Sequence, residues 1–478
     1  MIDQESEKYM ELKVKVKVGC VEDETMPPEP VSPTGQYFNS SVLSVSIISV
    51  LEFDNPIDDS SSVALINNVF LPINPRFSSI MVEDGGGGKH WKRVEVKVED
   101  HIKVPHFPEG LSPESYDHYF HDYLSKLAMD PLAQTRPLWE IHIFKYPTSN
   151  ASGSLVFKLH HALGDGYSLM GALLSCLQRA DNPSLPLSFP NTQKAPKQDK
   201  TFIPQVLSGV LNTVFDFCCS VLKSSFVEDN QTSIRSCQEG VEFLPINIMT
   251  VTFSLDQIKK IKSNLQVTIN DVITGIIFLG IRLYMETTCE EAKNARSTAL
   301  VLLNTRSVGG YKSVNEMVQN KEGQVRWGNQ LAFLHVSLPK LSQCSNPLKF
   351  VQETRNVINR KRNSSAIYLT GMLLETIRKY KGPEAASRYI RNTLKNSSLT
   401  VSNIIGPVEK MTLANQPVKG LYFMVVSVPQ SLTVTIMSYM DQLRVAVGTE
   451  KGLIDQTKFK KCIEKAFVVM YDAAAMPK

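Results

Sequence analysis

Apolar and polar positions along this chain repeat at two spacings, and segments of the two kinds interleave from end to end. Alternation, the mark of a half-buried strand, runs through 91–98, 139–145 and 154–161, and a longer apolar run covers 42–53. Further strands are predicted at 249–255, 299–303, 332–338, 399–402, 421–428, 432–439 and 443–449. Helical spacing places Tyr116, Tyr119, Phe120, Tyr123, Leu124 and Leu127 on one face. Ser112-Pro113-Glu114 opens that helix with an N-cap and a proline at its first position. His118 and His121 fall on its opposite face, which reads as solvated.

Within 205–227, Leu207, Val210, Leu211, Val214, Cys218, Val221 and Leu222 share one helical side, with Ser208, Asn212, Asp216 and Ser220 away from it. An amphipathic helix packed on the protein is the first reading, an interfacial anchor the second and a spanning segment the third. A central Asp costs a span about 2.5–3.5 kcal/mol. Asp256 is expected to cap a helix carrying Ile258, Ile261 and Leu265, and 272–285 is apolar nearly all round, as in a buried helix. Helices also fit 349–360, 366–380 and 457–472.

Strands and helices alternate through both halves, so the fold class is α/β or α+β with two sheets. A length of 478 residues suggests two or three domains. Pro183, Pro186, Pro190, Pro196 and Pro204 sit among Ser, Gln and Lys and mark a crossover. The expected division is an N-terminal half over 1–180, a linker with an amphipathic or membrane-associated helix over 181–245, and a C-terminal half over 246–478.

Composition narrows the function mainly by exclusion. Lys plus Arg is 51 against 47 for Asp plus Glu, and a net charge of +4 gives no reason to expect a nucleic-acid partner. The eight cysteines form no C-x-x-C pair, which suits neither a zinc site nor a disulfide framework and points to a reducing compartment. Residues 1–20 carry no apolar core of a secretory signal. The glycines of 85–88 read as a loop; no helix follows them, so they make no phosphate cradle.

The informative segment is Leu155-Val156-Phe157-Lys158-Leu159-His160-His161-Ala162-Leu163-Gly164-Asp165-Gly166. Strand alternation puts His160 and His161 on opposite faces, which argues against one metal held by both. His161 stands at a strand exit, where a side chain can face a cleft. Gly164 and Gly166 are expected to permit a tight reversal. Asp165 either orients the imidazole or locks the turn by pairing with a cation. An imidazole near its ordinary pKa of about 6.5 accepts a proton at neutral pH.

His160 to Gly166 matches the H-H-x-x-x-D-G signature of CoA-dependent acyltransferases. The wider chain resembles the plant wax ester synthase/diacylglycerol acyltransferase family. Pro131-Leu132 with Arg136-Pro137-Leu138-Trp139-Glu140, Asn270-Asp271, Gly328-Asn329 with Leu338-Pro339, and Ser402-Asn403-Ile404-Ile405-Gly406-Pro407 resemble its ordered blocks. The segment Glu29-Pro30-Val31-Ser32-Pro33 is a loose version of that family's start, and the D-F-G-W-G block of the phenolic-ester acyltransferases is absent.

The resemblance implies two chloramphenicol-acetyltransferase-like halves with mixed sheets and an active-site channel between them. It implies transfer of a fatty acyl group from acyl-CoA to a long-chain alcohol or to diacylglycerol. His161 would be the general base, with His160 beside it and Asp165 in a structural or orienting role, Arg306 being its candidate partner. Asn270 is either an oxyanion donor or simply the cap of the buried helix. No metal or cofactor is implied, since acyl-CoA is a substrate. A membrane surface is the expected partner, with the protein peripheral or single-pass at the endoplasmic reticulum or plasma membrane. The alternative is a non-catalytic acyl-CoA or lipid-binding protein of the same fold, for which the H-H-x-x-x-D-G residues would have no use.

Overall fold

The computed structural model describes residues 29–83, 88–189, 204–289, 295–306, 327–341 and 346–475. The glycine loop and much of the proline-rich crossover expected from the sequence lie outside these residues.

In the first half the strands are β1 (Ser46–Phe53), β2 (Ser79–Glu83), β3 (Lys89–Arg93), β4 (Ile102–Lys103), β5 (Trp139–Phe144), β6 (Gly153–His160) and β7 (Gln178–Arg179). The second half adds β8 (Ile246–Ser254), β9 (Thr298–Asn304), β10 (Leu331–Ser337), β11 (Leu399–Ile405), β12 (Met411–Leu413), β13 (Gln416–Val426), β14 (Leu432–Tyr439) and β15 (Gln442–Glu450). Among the described residues thirteen of them form a seven-stranded sheet, β4-β5-β6-β1-β13-β12-β7, and a six-stranded sheet, β10-β9-β11-β14-β15-β8, while β2 and β3 pair antiparallel as a small separate ribbon. Both sheets are mixed: β4/β5 and β11 with β9 and β14 are parallel, and the remaining pairs are antiparallel. The expected α/β class with two sheets is what is found.

The halves are not laid side by side. β13 leaves the second half and pairs with β1, opposite β6, so that Ser46 faces both His160 and Val426 in register. An Arg444–Glu52 ion pair at 2.5 Å ties the two sheets at the other end of β1.

Helices follow their local signals with two exceptions. Helix α1 (Pro113–Met129) starts at the predicted cap, Ser112, whose Oγ accepts from Ser115 N at 3.3 Å. Its residues Tyr116, Phe120, Leu124 and Leu127 are buried on one face of the first sheet, and His118 and His121 are exposed. Helix α2 (Gly166–Ser175) covers the other face and α3 (Pro204–Ser225) follows the crossover.

The first exception is α4 (Leu255–Leu265), which is capped by Ser254 and not by Asp256. Strand β8 runs to Ser254 and turns directly into the helix. Asp256 therefore falls in the first turn, where a negative charge meets the positive end of the helix dipole. The second is α5 (Ile269–Thr288), capped by Thr268 in a reciprocal box with Asp271, so Asn270 is not the cap. An Asp three residues after a Thr can bond back to the cap's own N–H, which a cap at Asn270 could not offer.

Helix α5 is almost wholly buried, as its unbroken apolar pattern requires, against α6 (Pro347–Arg362) and the C-terminal α9 (Gln456–Ala475). Between those two come α7 (Ala366–Lys381) and α8 (Pro383–Lys395). The sequence reading did not foresee α8, although Ala386, Ile390 and Leu394 are buried at helical spacing.

Candidate active site

β6 ends at His160, and the chain turns through residues 161–165 into α2. His161 N donates to Val45 O at 2.9 Å and Leu163 N to His160 O at 3.1 Å, which fixes the turn against the approach to β1. Asp165 caps α2 by accepting from Ser168 N at 3.0 Å.

Gly164 and Gly166 are needed here for a different reason than the sequence suggested. Neither is among the residues at positive φ. A Cβ on Gly164 would lie 2.9 Å from Ser168 Cβ, and one on Gly166 would lie 2.9 Å from Ile404 Cδ1. Close approach, not left-handed backbone, disfavours a side chain at Gly164, while at Gly166 the Ile404 methyl would have to swing aside.

The turn is clamped mainly by residues from the far half. Strand β9 ends just before Arg306, and β10 begins just after Asn329-Gln330, so this edge of the second sheet delivers both ends to the turn. Arg306 grips Asp165 with two nitrogens, Nη1 to Oδ2 at 2.5 Å and Nη2 to Oδ1 at 3.1 Å. Gln330 N also donates to Asp165 Oδ2 at 2.8 Å. Trp327 Nε1 and Arg76 Nη1 both donate to Leu163 O, at 2.7 and 3.1 Å. Gly328 takes a φ of +127°, open to glycine, while its carbonyl accepts from Arg306 Nη2 at 2.8 Å. Asp165 is thus occupied with a cation and backbone donors; it has no hydrogen bond to the His161 ring among the described residues. Of the two roles open to it, locking the turn is the one its contacts support.

The two histidines differ in what their nitrogens can do. Ala162 N, which can only donate, points at His160 Nδ1 at 3.1 Å. That nitrogen must carry the lone pair, so the ring proton sits on Nε2 and faces Ser44 Oγ at 3.1 Å. His161 has the opposite tautomer. Asn329 Nδ2 donates to His161 O at 2.8 Å, which orients the amide and turns its Oδ1 to His161 Nδ1, also at 2.8 Å. An amide oxygen only accepts, so Nδ1 carries the proton and Nε2 keeps the lone pair. The ring is 4.6 Å from that of Phe38, centroid to centroid.

Burial is the largest influence on both rings. It lowers the pKa of His160 to about 3, helped by repulsion from His161 and Lys158. It lowers that of His161 as well, against the opposing pull of Asp165 and the bond that the ring donates to Asn329. Both are therefore neutral at neutral pH, and only His161 has a ring nitrogen uncommitted among the described residues. His160, expected beside it among the catalytic residues, has its lone pair spent on the backbone.

Asn270 has no hydrogen bond to this group among the described residues. It is exposed in the first turn of α5, and its Oδ1 accepts from Asn403 Nδ2 at 2.6 Å. Arg136 and Trp139 brace the fold: Arg136 pairs with Glu140 at 2.5 Å, and Trp139 is fully buried, donating to Phe77 O at 2.8 Å and stacking on His101 at 4.0 Å. Asn329 had been matched only as part of a sequence block. Its role needed a contact 168 residues away, which no local pattern contains.

Two interlocked α/β halves, with a buried imidazole at their junction, make a fold of the two-lobed condensation-domain and chloramphenicol-acetyltransferase kind. Solved structures agree on the fold. A wax ester synthase/diacylglycerol acyltransferase from Marinobacter aquaeolei superposes with a TM-score of 0.58 at 14% identity, over 94% of this chain and 100% of that one. The first condensation domain of the CDA synthetase gives 0.54 at 12%, over 95% and 98%.

Sequence comparison is narrower. The wax ester synthase/diacylglycerol acyltransferase catalytic domain matches residues 70–273, and the WS/DGAT C-terminal domain matches 327–471. Wax ester synthase/diacylglycerol acyltransferase 4 of Arabidopsis thaliana is 30% identical over 90% of this chain and 87% of its own length. Number 5 of the same plant is 27% identical over 93% and 94%. The chain belongs to the wax ester synthase/diacylglycerol acyltransferase family and is an acyltransferase.

Proposed function

We propose that this acyltransferase moves a fatty acyl group from acyl-CoA to a long-chain alcohol, giving a wax ester, or to diacylglycerol, giving triacylglycerol. The observation that carries the mechanism is the His161 tautomer held by Asn329. His161 Nε2 takes the hydroxyl proton as the alcohol oxygen attacks the thioester carbonyl. The tetrahedral intermediate collapses, the C–S bond breaks, and the CoA thiolate recovers the proton from the imidazolium. A positioned base of this kind contributes roughly 10²–10⁴ in rate. No cofactor takes part. The Asp165–Arg306 pair holds the turn while charge passes through the ring.

Asn270 is the proposed donor to the oxyanion. Its Oδ1 is engaged by Asn403, which leaves the Nδ2 hydrogens for a substrate oxygen. Both substrates are membrane lipids or partition into membranes, so the proposed place of work is a membrane surface, at the endoplasmic reticulum or plasma membrane.

The test is purified protein with palmitoyl-CoA and either hexadecanol or diacylglycerol, followed by free thiol and by product mass. Wild type should release thiol and form ester in equal amounts. His161→Ala that folds and keeps full activity would refute the assigned base. Tight acyl-CoA binding with no ester from any acceptor would favour the lipid-binding alternative.

A further inference from the structure

Over residues 213–225, helix α3 is mounted with its polar side inward. Asp216 is buried and receives Arg360 Nη2 at 3.3 Å and Lys361 Nζ at 3.1 Å from the end of α6. Thr213 Oγ1 accepts from Ser365 N at 3.4 Å, and Ser224 is buried. The apolar side looks outward. Val214, Phe215, Leu222 and, just past the helix, Phe226 are 49–79% exposed. Neighbouring α7 continues the same character, with Tyr368 and Met372 exposed at 73% and 66%. Burying the polar face and exposing the apolar one costs a water-facing helix twice, so this surface is built for contact with something apolar.

Charge on the same helices says what kind of contact. Arg362 ends α6 beside the start of α7, and Lys379 and Lys381 are exposed at the far end of α7. Lys381 and Arg388 also line an open groove between α7 and α8. Apolar and aromatic side chains fringed by cations match a bilayer interface with anionic headgroups. No single described helix is long and apolar enough to cross a membrane, which fits contact in the plane of the interface.

We propose that the outer faces of α3 and α7 dock this protein onto an anionic lipid bilayer, with the cations at the ends of α6 and α7 against the headgroups. This rests on the acyltransferase reading only in that a lipid enzyme has reason to sit on lipid; the surface itself is argued from α3 and α7.

The experiment is co-sedimentation of the full chain with vesicles of phosphatidylcholine alone, or mixed in equal parts with phosphatidylserine. Wild type should sediment with the mixed vesicles and be partly released by salt. Phe215→Ser with Met372→Ser, and separately Lys379→Glu with Lys381→Glu, should each weaken binding about tenfold. All four positions are exposed, so both variants should fold and keep wild-type turnover on detergent-dispersed substrates. Wild type left in the supernatant, or variants sedimenting as wild type does, would overturn the proposal. So would a wild-type dimer in solution that Phe215→Ser with Met372→Ser converts to monomer, because the face would then belong to a second copy. Vesicle binding as expected with no acyl transfer from any substrate would sink the enzymatic reading and leave the docking surface standing.

Discussion

His160 and His161 are adjacent in the chain, yet their ring protons sit on opposite nitrogens because one ring faces a backbone N–H and the other an amide oxygen. The proposed chemistry rests on that difference. His161→Ala should lower turnover by roughly 10²–10⁴ at unchanged fold, read as kcat with circular dichroism as the control. Asn329→Ala frees the His161 ring to adopt either tautomer and should cost about tenfold or more in kcat with little change in KM. Asn329→Asp sets an anion beside Nδ1. An opposite charge favours the imidazolium and raises the pKa. The acid limb of the pH–rate profile should therefore move to higher pH than in wild type, where burial holds the His161 pKa below its ordinary value. An acid limb that stays put would remove Asn329 from the mechanism. At this scale the sequence singled out His161 as the candidate base, through the H-H-x-x-x-D-G pattern and strand alternation. It could not show what held the ring, because Asn329 arrives from the other half.

Between elements, the contact that matters joins the β6–α2 turn to the ends of β9 and β10. Arg306 and Asp165 are both buried there, with side chains 1% and 5% exposed. Removing one partner of a buried pair leaves the other charge uncompensated, at about 3–5 kcal/mol. Arg306→Ala should lower the urea midpoint accordingly. The double variant Arg306→Ala with Asp165→Ala should be less destabilised than the two single losses added together. Strict additivity would mean that the pair does not act as a unit. Elements with strong local signals were legible: Ser112 and Pro113 gave the start of α1, and unbroken apolar character identified α5 as buried. The facing of α3 was not. A helical wheel yields two sides but not which one meets the body, and Asp216 turned inward because two cations 144 and 145 residues later receive it. The cap of α5 was not legible for a related reason, since Asn and Thr both cap well and only the reciprocal bond with Asp271 decides.

Across the whole molecule, buried neutral histidines make stability depend on acid. His160 and His335 are both held near a pKa of about 3 by burial, and His335 has no hydrogen-bond partner for either ring nitrogen among the described residues. In the unfolded chain both titrate near 6.5. Below that value the unfolded state binds protons that the folded state refuses, so stability is full above it and falls as pH drops toward about 3. Each histidine should contribute up to about 1.4 kcal/mol per pH unit in that window. Urea midpoints between pH 6.5 and about 5, above most carboxylate titration, should fall with pH, and His335→Gln should flatten the decline. A flat profile for wild type would mean these rings are not buried neutral. The two-sheet class was legible from alternating strand and helix patterns. The interlock was not, because pairing partners far apart in sequence leave no local trace.

That interlock bears on how such chains can be recombined. β12 and β13 are encoded with the second half but complete the first half's sheet beside β1. A hybrid spliced in the proline-rich crossover from two relatives would inherit a β1 from one parent and its hydrogen-bonding neighbour from the other. Crossovers that keep 411–426 from the same parent as 46–53 should yield folded hybrids far more often.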